Sequence, residues 1–181
     1  MWKLDIDQDT QLKLLKQEDA ELLFALVDSC RPYLRQWLPW IDATQTVDNS
    51  RQFIELGLQK FAANNGLETG IWHKEQLAGV IGLHYIDRTN KKTSIGYWLA
   101  EPFQGYGLMT RACRALISYV FEQLQLNRVE IRVAVDNRKS RAIPERLGFV
   151  NEGVVREVEW LYDHFVDHVV YGMLAKEWSR N

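Results

Sequence analysis

Two cysteines, four prolines and a formal net charge of -2 leave this 181-residue chain without the features that settle a protein's class at once. Cys30 and Cys113 sit in apolar helical patterns. That suits core filling, argues against a disulfide framework or a zinc site, and points to a reducing compartment. The near balance of charge argues against a broad nucleic-acid-binding face and leaves room only for a local basic cluster. No stretch reaches the apolar length of a membrane span. No repeat, low-complexity tract or Pro/Gly/Ser-rich linker divides the chain. The opening MWKLDIDQDTQLKLL lacks the apolar centre of a secretion signal, so a cytoplasmic protein is expected. What is abundant is hydrophobic residues, 46% of the chain, enough for one domain over residues 1–181 with a sizeable core.

The periodicities mix helix and strand. Residues 11–15 read as a strand. A helix follows from 17 to 25 and beyond, with Ala20, Leu23, Phe24 and Val27 on one face. Pro32 and Pro39 break the pattern. A second amphipathic helix spans 46–63 and stops at Asn64-Asn65-Gly66. Strands at 68–73, 77–86 and 93–99, separated by turns at 74–75 and 88–92, read as an antiparallel meander. The longest helix, 108–126, keeps its polar residues Arg111, Arg114, Ser118, Glu122 and Gln125 in one narrow stripe. It is expected to pack on a sheet. Val129, Ile131, Val133 and Val135 alternate with polar residues as a strand. The strand–helix–strand order makes this strand parallel to 93–99. A helix at 137–147 and strands at 150–161 and 165–175 complete a mixed α/β (α+β) sheet fold.

Between the strand ending at Leu99 and the long helix lies Gln104-Gly105-Tyr106-Gly107-Leu108-Met109-Thr110. Two glycines let the backbone take unusual angles and approach a ligand closely. The helix that follows offers free N–H groups and a partial positive charge. Together they suit a phosphate or pyrophosphate. A tight turn without a ligand is the plain alternative. The place of the loop, at the carboxyl end of a strand in a crossover unit, favours binding. The Gly-Lys-Ser/Thr ending of a P-loop is missing, and so is the third glycine of a dinucleotide fingerprint.

The loop and its flanks resemble the pyrophosphate motif of the GNAT superfamily of N-acetyltransferases, Gln/Arg-x-x-Gly-x-Gly/Ala. Here it reads Gln104-x-x-Gly107-x-Met109, and Met109 departs from the small final residue. GYGLMTRA is similar to the G-x-G-x-M-T variant of the ribosomal-protein N-terminal (serine/alanine) acetyltransferase branch. The likeness continues through IGYWLAEPFQGYG, NRVEIRVAVDNRKSRAIPERLGF and the following EG, covering roughly residues 12–174.

The resemblance implies acetyl-CoA as co-substrate, without a metal, held where the two parallel strands splay apart. Backbone groups of Trp98 and Leu99 would meet the pantetheine arm. The amides of Gln104, Gly105, Tyr106, Gly107, Leu108 and Met109, with the Thr110 hydroxyl, would hold the pyrophosphate. Arg138, Lys139 and Arg141 would reach the 3′-phosphate or else form a solvated helix start.

Asn137 and Ser140 match positions facing the cofactor arm and its sulfur. Asp136 or Asn137 is also a natural helix cap. Many superfamily members carry a tyrosine, as proton donor to the departing thiolate, where this chain has Pro144. Either Ser140 supplies the hydrogen bond, as the resemblance to the ribosomal branch implies, or the thiolate leaves unaided. Thiols titrate near 8.5, so modest help suffices.

Between 152 and 167 the acids Glu152, Glu157, Glu159, Asp163 and Asp167 gather with only Arg156 among them. A solvated face is one reading. The chemistry offers another, because acetyl transfer needs a neutral amine and a carboxylate can accept its proton. Glu159 matches the proposed general base of the branch, and Trp160 beside it could desolvate it. His164 and His168, four apart on a strand, are too distant for one zinc. His84 reads as strand packing. Trp37 and Trp40 read as a packed helix corner or, by the resemblance, as the border of an acceptor groove. Cys113, apolar in its surroundings, is a poor nucleophile.

The expected activity is acetyl transfer to a primary amine by direct attack in a ternary complex. The branch points to a ribosomal-protein N-terminus, with no direct nucleic-acid or membrane contact. Members of the branch often form homodimers. A small amine (polyamine, amino acid or antibiotic) is the rival acceptor. A non-catalytic acyl-CoA-binding domain is the rival class, kept open by Pro144.

Overall fold

A computed structural model describes residues 1–178. Eight strands form one sheet: β1 (Lys3–Asp5), β2 (Thr10–Leu14), β3 (Leu67–His73), β4 (Gln76–Asp87), β5 (Lys92–Leu99), β6 (Arg128–Ala134), β7 (Val150–Leu161) and β8 (His164–Leu174). Their order is β1-β2-β3-β4-β5-β6-β8-β7. Only β5 and β6 pair in parallel, and every other neighbouring pair is antiparallel. The meander and the parallel crossover both stand where the residue pattern put them. The Lys74-Glu75 turn has positive φ at both residues, 48° and 64°, matching the twist a two-residue hairpin needs.

The helices are α1 (Ala20–Ser29), α2 (Arg31–Arg35), α3 (Val47–Ala62), α4 (Leu108–Glu122), α5 (Arg138–Arg146) and α6 (Ala175–Trp178). Three elements lie outside that expectation: β1, α2 and α6. β1 is only three residues long. α2 forms despite Pro32, because proline in a first helical turn gives up an N–H that has no helical partner anyway. α4 stops at Glu122, short of the expected 126, and Gln125 turns the chain with φ 55°.

One face of the sheet packs on α4. Ala112, Cys113, Leu116, Ile117 and Val120 are fully buried there against Ile81, Leu83, Ile95 and Val129. Burying one such leucine contributes about 2–3 kcal/mol. On the other face, Leu23 of α1 and Ile54 of α3 pack with Leu15, Leu77 and Val80. A smaller cluster of Val27, Leu34, Ile41 and Ala100 holds α2 and the following corner. The α4 side of the sheet is covered from β2 through β8, whereas the α1 and α3 side is covered over β2–β5.

Candidate active site

Ladder pairing between β5 and β6 covers only Lys92–Arg128, Thr93–Val129 and Ser94–Glu130, although β5 runs on to Leu99 and β6 to Ala134. Beyond Ser94 the strands splay. Two cavities open there, of about 760 and 780 Å³. Trp37, Leu38, Tyr97, Trp98, Asn137 and Ser140 line both, so the two are arms of one cleft that meet at the splay.

The first arm ends at the glycine loop. Gln104 ties the loop to the strand end, its Nε2 donating to the Leu99 carbonyl (3.1 Å) and to the Tyr33 hydroxyl (2.6 Å). The Gln104 backbone amide donates to Glu101 (3.2 Å) and is occupied. Gly105 and Gly107 both lie in the left-handed region, φ 83° and 70°, which side-chain-bearing residues adopt at a cost. Nothing lies within 4 Å of where a Gly105 Cβ would sit, so its surroundings are open. Gly107 is the N-cap of α4, and no side chain caps that helix among the described residues. Leu108 and Met109 bury their side chains in the core, and both residues line the cavity. The result is an uncapped, positively polarised helix start aimed into a cavity.

The basic groups sort differently from expectation. Arg141 is turned inward, donating to the Tyr171 hydroxyl (2.9 Å) and the Val135 carbonyl (2.9 Å). Lys139 does line the cavity. So does Arg146, outside the expected basic cluster; its Nη1 donates to the Thr110 hydroxyl (3.0 Å). Lys139, Ile143 and Arg146 stand at i, i+4 and i+7, a helical-face signal that could have found it.

At the junction, Asn137 rather than Asp136 caps α5, its Oδ1 accepting from the Ser140 amide (3.2 Å). Pro144 lies inside α5 and has no N–H to give the Ser140 carbonyl four residues back. Tyr97 supplies the missing donor, its hydroxyl bonding that carbonyl at 2.9 Å. Burial pushes the Tyr97 phenol well above its ordinary range, so it stays a donor. The Ser140 backbone is thereby fixed at both ends, while its hydroxyl has no hydrogen-bond partner among the described residues and faces both arms.

In the second arm, Glu159 Oε1 lies 3.7 Å from His168 Nε2, with side chains 29% and 16% exposed. A bulge between Val155 and Glu159 sets this register, and Asp167 stabilises it by accepting the Glu157 amide (2.7 Å). Trp160 points elsewhere: it is 54% exposed, stacks edge-on against Phe165 (4.8 Å), and does not cover Glu159. The other acids fit the solvated reading. Glu152 pairs with Arg128 (2.6 Å) and Asp163 with His164 (2.6 Å). Trp37 and Trp40 are not sealed in a core. Trp40 lies against Trp98 (6.1 Å) on the wall of the second arm. His84, expected as packing, also faces that arm. Cys113 is fully buried and burial raises its thiol pKa, which removes it as a nucleophile.

The Acetyltransferase (GNAT) domain family matches residues 10–150. The chain is a GNAT acetyltransferase. YdaF of Bacillus subtilis (strain 168), provisionally named a ribosomal N-acetyltransferase, is 40% identical over 99% of this chain and 98% of its own length. The solved structure of the microcin C7 self-immunity acetyltransferase MccE, in complex with acetyl-CoA and AMP, is 30% identical. It superposes with a TM-score of 0.90 over 93% of this chain and 94% of its own. RimL, a ribosomal L7/L12 alpha-N-protein acetyltransferase solved with coenzyme A, is 25% identical with a TM-score of 0.93 over 96% and 98%.

A GNAT enzyme uses acetyl-CoA as co-substrate, and the residues present fit it. An uncapped helix start, two left-handed glycines and an unpaired strand edge are the groups that a pyrophosphate and an amide-bearing arm require. The chain is an acetyl-CoA-dependent N-acetyltransferase with a mixed sheet that opens at its one parallel pair.

Proposed function

We propose that residues 1–181 work as one cytoplasmic enzyme that acetylates a protein N-terminal α-amine, of the ribosomal-protein kind. The observation that carries this is the cleft with two arms meeting at Ser140, one ending in an anion cradle and the other in a carboxylate. The similarity to YdaF and RimL, whose names give ribosomal acceptors, supports the choice of amine.

Acetyl-CoA, bound in the first arm, supplies an acetyl thioester. The amides of Gly105, Tyr106, Gly107, Leu108 and Met109, with Thr110, Lys139 and Arg146, hold its phosphates. The β5 edge that β6 leaves unpaired beyond Ser94 orients the arm alongside Trp98 and Leu99, whose carbonyl Gln104 already occupies, and Asn137 frames it. Positioning is the main contribution of this machinery. Glu159, with His168 behind it, receives the ammonium of the acceptor and takes its proton. An α-amine titrates near 8, so at neutral pH this step is needed for most molecules. The unpartnered Ser140 hydroxyl donates a hydrogen bond that steadies the departing thiolate. A small amine is the second reading, favoured by the exposed aromatic wall of Trp40 and Phe53.

A thiol-release screen over N-terminal peptides, polyamines and amino acids tests the acceptor. Peptides should lead, and a polyamine or amino acid turning over faster than every peptide overturns the choice. Glu159→Gln should lower kcat about tenfold and flatten the acidic limb of the pH–rate profile. An unchanged profile would remove Glu159 from proton transfer.

A further inference from the structure

The second arm has a floor that acetyl transfer does not by itself explain. Glu68 of β3 pairs with Gly82 of β4, and Gly82 with Gly96 of β5, so the three share one cross-strand row and one face. His84, two residues along β4, stands on the same face. Both sheet glycines serve as platforms. A Cβ on Gly82 would strike Glu68 Oε2, and one on Gly96 would strike His84 Nε2. Gly57 of α3 leaves the room above, where a Cβ would come within 3.1 Å of the Glu68 stem. Three bare backbone positions thus let a carboxylate and an imidazole lie flat beneath the cavity.

The Glu68 carboxylate is poorly compensated. Its side chain is 12% exposed, it accepts no hydrogen bond among the described residues, and its one ion-pair partner is Lys60 Nζ at 3.9 Å, 45% exposed itself. Burial raises its pKa to about 7, against a smaller lowering by Lys60. Desolvation, with Lys60 nearby, also lowers the His84 pKa, which disfavours a charge on the neighbouring imidazole. The remaining charged groups of the arm, Arg132, Glu159 and His168, stand on the β6–β8 wall. A carboxylate held this way gains most from donors that arrive through the cavity.

We propose that Glu68 forms a second acceptor subsite, which takes a cationic N–H donor carried by the acceptor some distance beyond its reacting amine. The inference rests on the acetyl-transfer reading and deepens it. Two residues of strand rise and one strand spacing put roughly 8 Å between the Gly82 platform and Trp98 at the junction. The terminal ammonium groups of 1,5-diaminopentane match that span. So does an N-terminal amine with a lysine second in the peptide.

Calorimetry on the coenzyme A-loaded protein compares 1,5-diaminopentane with pentylamine, and Ala-Lys amide with Ala-norleucine amide. Thiol release with acetyl-CoA runs on the same four compounds. At about pH 8 the doubly cationic member of the favoured pair should bind about tenfold tighter in the wild type, and Glu68→Gln should bring that ratio near one. The wild-type ratio should also shrink as the pH falls below about 7, where Glu68 gains its proton. Which pair responds tells a small diamine from a peptide. An equal affinity within both pairs in the wild type overturns the subsite, and so does a ratio that Glu68→Gln leaves unchanged. If Glu68→Gln melts early, Glu68→Asp, which withdraws the carboxylate, must lower the ratio part of the way. Absence of thiol release with all four would count against the acetyl-transfer reading, while the binding ratio still decides Glu68.

Discussion

The two arms of the cleft are built from different materials. The cofactor arm is mostly backbone: two left-handed glycines, the start of α4 and the unpaired edge of β5. The acceptor arm is mostly side chains, with Trp37 and Trp40, Glu68, His84, and Glu159 with His168 drawn from widely separated segments. Backbone groups bind what every reaction of this type shares, a diphosphate and an amide-bearing arm. Side chains set what differs, the amine. The join between the two is the Tyr97–Ser140–Pro144 arrangement, in which a helix is denied one of its own bonds and borrows a strand tyrosine instead.

The sharpest break of the cofactor arm is Gly107→Val. A β-branched residue at φ 70° must distort the helix start, and acetyl-CoA binding should fall about a hundredfold in calorimetry. An unchanged affinity would mean that the amides there are not the cradle. In the acceptor arm the largest effect is on stability. The folded pKa of Glu68, about 7, exceeds its ordinary 4.5, so the folded state holds a proton that the unfolded state has lost. The wild type should therefore lose up to about 3 kcal/mol as pH rises from 4.5 to 7, and level off above. Glu68→Gln, which cannot titrate, should lack that decline in urea titrations across the range.

Breaking the join is gentler. Tyr97→Phe orphans the Ser140 carbonyl and should cost about 1–2 kcal/mol of stability. Ser140→Ala should lower kcat, and Tyr97→Phe should reproduce part of that loss while leaving the KM for acetyl-CoA unchanged; a change in KM alone would place Tyr97 in binding instead. The smallest effect is Arg146→Ala, an exposed cation at the mouth of the cofactor arm. Coenzyme A affinity should drop about threefold at low salt, and the difference should fade as salt is added.

The same contrast governs how much could be read from the residues alone. Glycines at 105 and 107 ahead of an apolar helical pattern encode their own geometry, because φ and helix polarity are local properties. The meander and the parallel crossover follow from alternation and chain order. The acceptor arm depends on register. Glu68 matters because it pairs opposite Gly82, and Glu159 faces His168 because of a bulge between Val155 and Glu159. Neither pairing leaves a periodic trace in the sequence. For the same reason Trp160, next to Glu159 in the chain, stacks on Phe165 instead of covering the carboxylate. Arg141, beside Arg138 and Lys139 in the chain, serves Tyr171 rather than a phosphate.

The central claim is that the backbone between Gly105 and Thr110 grips the diphosphate of coenzyme A while the thioester end lies at Ser140. Amide chemical shifts followed through a coenzyme A titration test it directly. The largest displacements should fall on Gly105, Tyr106, Gly107, Leu108, Met109 and Thr110, with a second group at Trp98, Asn137 and Ser140. Saturable binding that leaves those amides in place, or moves chiefly the β1–β2 edge or α6, would contradict the account.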